Sequence, residues 1–104
     1  TITINDATTE SEAIDLYGME LAGLFTSASF DGTNLTFKAA TEIDGTYHTV
    51  TASGEDFTLT VGANNYAPIE NLALFAGVRF LSIQSDTAQN GNNAAFTLAL
   101  RTVG

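Results

Sequence analysis

The chain has 104 residues, a hydrophobic share of 44% and a formal net charge of −9 at pH 7. This length suits one domain and is too short for two separate cores, and the apolar share argues against intrinsic disorder. Twelve acidic side chains stand against three Lys and Arg, which excludes a surface that neutralises nucleic-acid phosphates or anionic lipid headgroups. The chain contains no cysteine, which excludes disulfides and thiolate metal sites.

The first third of the sequence shows short alternating segments separated by polar residues. Residues 1–9 open with an alternating Thr/Ile pair and then turn polar, which predicts an edge strand or an arm. Residues 12–17 and 21–25 are predicted strands, the second covered on both faces because both parities are apolar. Asp31-Gly32 is predicted to form a hairpin turn between strands.

The middle of the chain carries the clearest period-2 patterns. Predicted strands cover residues 35–40, 47–51 and 57–61, and the last of these has the strongest alternation. The turns between them are predicted at Asp44-Gly45 and at Ser53-Gly54-Glu55. Because Asp-Gly is a favoured two-residue hairpin turn, Asp44-Gly45 is expected to join neighbouring antiparallel strands.

The last third combines a long irregular segment with two more strands. Residues 62–71 contain the single proline, Pro68, and are predicted to form an extended loop that crosses from one sheet to another. Residues 71–76 are expected to form one helical turn or a short apolar plug. Two strands, 78–84 and 96–101, flank a polar loop at 86–93. No window sustains the periodicity of an amphipathic helix, so the sequence predicts a single all-β domain over 1–104, an antiparallel β-sandwich of jelly-roll type.

The candidate reactive residues are few. His48 is the only histidine and lies in a predicted strand, and most carboxylates fall in turns, where they serve backbone geometry. We therefore predict no enzyme activity, no metal site and no cofactor. The tyrosines, above all Tyr66 beside Asn64 and Asn65, leave carbohydrate recognition open as an alternative function.

Two resemblances add to this interpretation. Residues 41–50 (TEIDGTYHTV) with 76–83 (AGVRFLSI) resemble the Asp-Gly hairpin and Arg-bearing strand of discoidin-type, galactose-binding-like jelly rolls, although Tyr47 stands where those domains have Trp. The second resemblance covers nearly the whole chain. The motifs of residues 9–18 (TESEAIDLYG), 30–39 (FDGTNLTFKA), 44–50 (DGTYHTV) and 75–81 (FAGVRFL) are similar to those of small virion proteins of tailed bacteriophages.

The second resemblance implies a structural component of the virion, most specifically a capsid cement or decoration protein. It implies the major capsid protein or another virion protein as partner, a dimer or trimer of the chain itself, and synthesis in the cytoplasm of the host bacterium. A neck or tail role stays open. Nucleic acid and membrane are not expected as partners. We predict that the protein interface includes Thr1, Ile2, Thr3, Ile4, Tyr66 and Pro68, with the N-terminal segment adding a strand to a neighbouring sheet.

Overall fold

The computed structural model describes residues 2–17, 19–52, 54–69, 75 and 78–102. Eleven strands account for its regular structure. Their bounds are β1 Ile2–Ile4, β2 Ile14–Asp15, β3 Met19–Thr26, β4 Asn34–Ala40, β5 His48–Thr49, β6 Thr51–Ala52, β7 Glu55–Asp56, β8 Leu59–Thr60, β9 Tyr66–Pro68, β10 Phe80–Ser85 and β11 Ala94–Thr102. The described part of the chain contains no helix that is long and apolar enough to cross a bilayer.

The strands form two antiparallel sheets and one small hairpin. The four-stranded sheet has the order β1-β11-β3-β9, and the five-stranded sheet has the order β2-β10-β4-β5, with β8 also pairing with β4. Along the chain, β1 to β4 and β8 to β11 alternate between the two sheets, while β4, β5 and β8 all belong to the five-stranded sheet, an order of the jelly-roll type. The predicted jelly-roll sandwich is confirmed, and the β6–β7 hairpin is an addition to it.

The core lies between the two sheets and is built around aromatic rings. Phe75 meets the Phe37 ring edge to face, with centroids 5.3 Å apart, and Phe57 lies 5.9 Å from Phe37. A second pair, Phe30 and Phe96, packs edge to face at 5.2 Å. Such pairs stabilise a core beyond the area that they bury. The rings thus hold the two sheets together in a chain that has no disulfide.

The Asp31-Gly32 pair does not form the predicted hairpin turn. β3 and β4 belong to different sheets, so residues 27–33 cross the sandwich. Gly32 lacks the positive φ of a primed turn, and a Cβ on it would lie 2.8 Å from the Phe30 ring and would also collide with Ser85 Oγ. Glycine stands here because two elements approach closely and not because the chain reverses.

The two later turn predictions are confirmed. β4 pairs antiparallel with β5, and β6 pairs with β7 around Gly54, whose φ is +84°. In the first hairpin the Gly45 N–H donates to the Glu42 carbonyl at 3.0 Å. The turn is therefore centred on Ile43 and Asp44, with Gly45 in the last position, where type I turns favour glycine.

The crossing predicted for residues 62–71 is present, but it contains a strand. β8 pairs with β4 in one sheet and β9 pairs with β3 in the other, so the segment between them changes sheets. Thr26 anchors this turn, because its hydroxyl donates to the Gly62 carbonyl at 2.7 Å and accepts from Asn65 N–H at 2.9 Å. The helical turn or plug predicted at 71–76 lies outside the described residues except for Phe75, which is buried.

Candidate protein-binding surfaces

The predicted N-terminal interface residues lie mostly in the core. Ile2 and Ile4 are fully buried, and Thr3 between them is half-buried on the outer face of the four-stranded sheet. Thr1 lies outside the described residues. β1 pairs with β11 through Ile2↔Phe96, so the segment is an edge strand of its own sheet. The prediction that Thr1–Ile4 joins a neighbouring sheet stays a prediction.

Side chains from the following segment cover the outer edge of β1. The Thr3 N–H donates to Glu12 Oε1 at 3.0 Å, and Ile4 forms a bridge with Ser11. Ser11 is itself tied to β10, because its N–H donates to the Ile83 carbonyl at 2.9 Å. An edge strand whose backbone groups already have some hydrogen-bond partners pairs less readily with a strand of another chain. This geometry weakens strand addition at β1 as a binding mode.

Tyr66 and Pro68, the other two predicted interface residues, are exposed on β9. They form part of the wall of a groove of about 620 Å³ between the edge strands β8 and β9. The Tyr66 ring lies across Gly23 of β3, where a Cβ would be 2.8 Å from the ring carbon Cζ. It also contacts Phe25, with ring centroids 4.5 Å apart. Both residues therefore lie on the surface, and their part in a protein interface stays a prediction.

The outer face of the four-stranded sheet is nearly free of charge. Residues that are directly opposite in antiparallel strands share a face, so the register defines this face. Its members are Thr3, Gly23, Phe25, Tyr66, Pro68, Ala95, Thr97 and Ala99, with Glu20 and Arg101 at one end. Glu20 is buried and accepts a hydrogen bond from Arg101 Nε. Among the described residues Glu20 is the only acid on this surface, which we call the neutral face.

A second exposed cluster, the Tyr17 patch, lies at the edge of the five-stranded sheet and consists of Asp15, Tyr17, Arg79 and Phe80. Arg79 binds Asp15 with two hydrogen bonds, of 2.9 and 3.1 Å, and its guanidinium lies 5.3 Å from the Phe80 ring centroid. The bond from Arg79 is the main reason why the pKa of Asp15 is lowered. The ion pair therefore persists into the acid range.

Tyr17 has an unusual backbone within this patch. Its φ is +54°, a left-handed conformation that is strained for a bulky residue, and its side chain is 76% exposed. The Asp15 carboxylate holds the turn by accepting the Tyr17 N–H at 2.8 Å. Sequence reasoning missed this site, because it placed Tyr17 at the end of a strand.

The rest of the outer face of the five-stranded sheet is polar. Lys38 Nζ donates to Glu10 Oε1 at 2.8 Å. Tyr47 donates its phenolic hydrogen to the Ile43 carbonyl at 2.9 Å, and partial burial, with a smaller effect from the charge of Asp44, raises the pKa of Tyr47. These contacts are internal to the chain, and they contrast with the neutral face on the opposite side of the sandwich.

His48 is exposed on β5. The hollow beside it, of about 350 Å³, is lined by alanine, threonine and valine side chains. Across the described ranges, no three His, Asp or Glu side chains converge as a metal site needs.

Comparison of the chain with models of known protein families gives no match, and comparison with curated protein sequences gives none either.

Proposed function

We propose that this chain is a structural protein of a tailed-bacteriophage virion, most specifically a capsid cement or decoration protein that binds the major capsid protein. It acts by protein binding and not by catalysis. It is made in the cytoplasm of the host bacterium and ends on the outer surface of the head. The motif resemblance over nearly the whole chain supports the virion role, and the Tyr17 patch supports docking to a protein.

The exposed, strained Tyr17 is the observation that carries the proposal. A bulky residue in a left-handed conformation costs about 1–2 kcal/mol, and Tyr17 gains little burial within its own chain, because it stays 76% exposed. Strain of this kind persists where it serves a function. Tyr and Arg are also the residues that dominate binding energy at protein interfaces, and here Arg79 is fixed beside Tyr17 by the Asp15 carboxylate.

The acidic surface agrees with this location. The net charge of −9 disfavours contact with the packaged polyanion and favours the outside of the shell. Cement proteins reinforce a shell by bridging its subunits. Many identical weak contacts then act together, so that avidity provides the affinity that a single small surface lacks.

The test measures binding of the purified protein to shells assembled from the major capsid protein of the same phage. Tyr17→Asn is expected to weaken binding about thirtyfold, the loss of about 2 kcal/mol that marks an interface hot spot. Asn tolerates the left-handed conformation, so the free energy of unfolding should stay equal or rise. Ile43→Asn is the matched control, because Ile43 is a second large exposed apolar residue that lies outside the patch.

Equal binding by the wild type and Tyr17→Asn would refute the patch as the docking site, and absence of saturable binding by the wild type would refute the cement role. Immunolabelling of intact particles separates the head from the neck or tail. A strong signal on a glycan array, with none on shells, would favour a carbohydrate-binding module, for which the groove beside Tyr66 and Asn65 is the candidate site.

A further inference from the structure

We infer that the neutral face binds a second copy of this chain, face to face, in a symmetric dimer. The inference goes beyond the virion role and does not depend on it, because it follows from the shape and the charge of the sheet. Three observations carry it: the relief of the face, its charge relative to the rest of the molecule, and its area.

The neutral face is divided into a ridge and a trough. Phe25 and Tyr66 form the ridge on β3 and β9, with side chains 50% and 46% exposed. The small side chains of Ala95, Thr97 and Ala99 form the trough on β11. Since the sheet order is β1-β11-β3-β9, the ridge occupies one half of the face and the trough the other half.

This arrangement is complementary to itself. A two-fold axis that lies in the interface, parallel to the strands and between β11 and β3, places the ridge of each copy over the trough of the other. Phe25 lies directly opposite Thr97 in the sheet register, so the axis brings Phe25 of each copy onto Thr97 of the other. Two-fold interfaces of this kind use one patch on both subunits, and sheets pack through such side chains about 10 Å apart.

The distribution of charge favours the neutral face over the rest of the surface for contact with a second copy. Two molecules with a net charge of −9 each repel one another. On the neutral face the only described acid, Glu20, is paired with Arg101, and Glu12 at the β1 edge accepts from the Thr3 N–H, so an approach through this face brings together few carboxylates, each of which has a hydrogen-bond donor. The exposed acids of the β6–β7 hairpin, Glu55 and Asp56, make that part of the surface repulsive to another copy.

The size of the face sets the strength of the dimer. With strands about 4.8 Å apart and about 3.3 Å per residue along β11, the face measures at most roughly 15 by 27 Å, or about 400 Å², because β1 and β9 are much shorter than β11. A standard interface buries about 800 Å² on each partner. The contact is therefore a weak one, and we expect a dissociation constant between about 10 µM and 1 mM.

Sedimentation equilibrium over about 10 µM to 1 mM protein tests this inference in the range that such weak contacts require. Thr97→Glu places a carboxylate under the Phe25 ring of the other copy, and should raise the dissociation constant at least tenfold because a buried charge would lack a partner. Thr36→Glu is the matched control: it makes the same change of charge on β4, where Thr36 is paired in register with Gln84 on the outer face of the other sheet. It should leave the constant within about twofold.

A second variant guards against a folding defect. Ala95→Glu alters an exposed trough residue and should act like Thr97→Glu, with circular dichroism confirming the fold of each variant. Added salt should strengthen the wild-type dimer, because it screens the repulsion between the copies. A wild type that stays monomeric at about 1 mM, or equal weakening by Thr36→Glu and Thr97→Glu, would overturn the inference. Neither result bears on shell binding by the Tyr17 patch, so the two proposals fail separately.

Discussion

Gly23 has no side chain, and this absence shapes the ridge of the neutral face. The Tyr66 ring lies over the Gly23 backbone, and a Cβ would come within 2.9 Å of the Ala67 carbonyl oxygen as well as meeting the phenol. The ring thereby shields a stretch of strand that has nothing else to cover it, a known way of compensating for glycine in a sheet. The position of Tyr66 beside Phe25 depends on this contact.

Gly23→Ala should therefore lower the free energy of unfolding by about 1–3 kcal/mol, because the new methyl group must displace both the phenol and the β9 backbone. Urea unfolding measures the effect. Gly62→Ala is a matched control, since the nearest atom to its added Cβ is Asn65 Nδ2 at an ordinary 3.5 Å. If both variants lower the free energy of unfolding by the same amount, the position of the Tyr66 ring does not depend on the missing side chain at Gly23.

Tyr66 and Tyr17 differ in how far the sequence predicts their structure. The place of Tyr66 beside Asn64 and Asn65 made it an interface candidate, and the structure shows it exposed. The left-handed φ of Tyr17 had no signal of its own, because positive φ is expected at glycine. Its cause is a tertiary one: Asp15 must reach Arg79, directly before β10, and the Tyr17 N–H at once.

Hydrogen bonds to Asp86 join the polar loop 86–93 to the start of β4. Its carboxylate accepts from the Thr33 N–H at 3.1 Å, the Thr33 hydroxyl at 3.0 Å and the Asn34 amide at 3.3 Å. Partial desolvation raises the pKa of Asp86, but these hydrogen bonds together outweigh it, so the pKa lies below its ordinary value. Asp86 thus helps to hold a crossing between sheets, together with Gln89 and with Asp31, whose carboxylate accepts from the Asn90 N–H.

This lowered pKa fixes the sign of a pH effect. A carboxyl group whose pKa is lower in the folded state stabilises the fold above its unfolded pKa of about 3.9 and loses that contribution as the pH falls through the folded value. Asp86→Asn should cost about 1 kcal/mol at pH 7, an amount suited to an exposed network. The difference from the wild type should shrink below about pH 4.

Urea unfolding at a series of pH values measures this difference. Asp44→Asn makes the same change of charge in the β4–β5 loop, where no described hydrogen bond reaches the carboxylate, and should show no such convergence with the wild type. A constant cost of Asp86→Asn from pH 7 to about pH 3 would contradict the assignment.

The elements predicted from periodicity are largely those of the structure, and the errors have two causes. The alternation of residues 35–40 and 57–61 identified β4 and the segment of β8 because burial on one side imposes period 2. The same Asp-Gly dipeptide closes a hairpin at Asp44-Gly45 but crosses the sandwich at Asp31-Gly32. Local turn chemistry does not encode which sheet the next strand joins. β9 was missed because a three-residue edge strand with a proline carries no periodic signal.

The jelly roll separates two kinds of surface. Every cation of the chain is in an ion pair: Lys38 with Glu10, Arg79 with Asp15 and Arg101 with Glu20. These pairs leave an excess of nine negative charges. The neutral face is kept apart from that excess. Composition predicted the charge but not its distribution, since the distribution depends on which residues the register brings to one face.

This excess of carboxylates predicts how salt changes the stability of the fold. Salt screens both the three attractive pairs and the repulsions among the many remaining acids over a length of about 10 Å at 0.1 M. Because the repulsions outnumber the attractions, sodium chloride should raise the urea midpoint. Urea is the suitable denaturant, since guanidinium is itself a salt. The measurement uses the Thr97→Glu variant at low protein concentration, so that self-association does not contribute to the urea midpoint.

Glu55→Gln identifies the origin of the effect. Glu55 is exposed beside Asp56 in the β6–β7 hairpin, so its neutralisation should raise the low-salt free energy of unfolding by a few tenths of a kcal/mol, up to about 0.5. It should also reduce the gain that salt produces. Thr58→Val, an uncharged change at a nearby exposed site, should leave that gain unaltered. A midpoint that falls with added salt would mean that the three ion pairs, and not the unpaired acids, dominate the electrostatic energy of the fold.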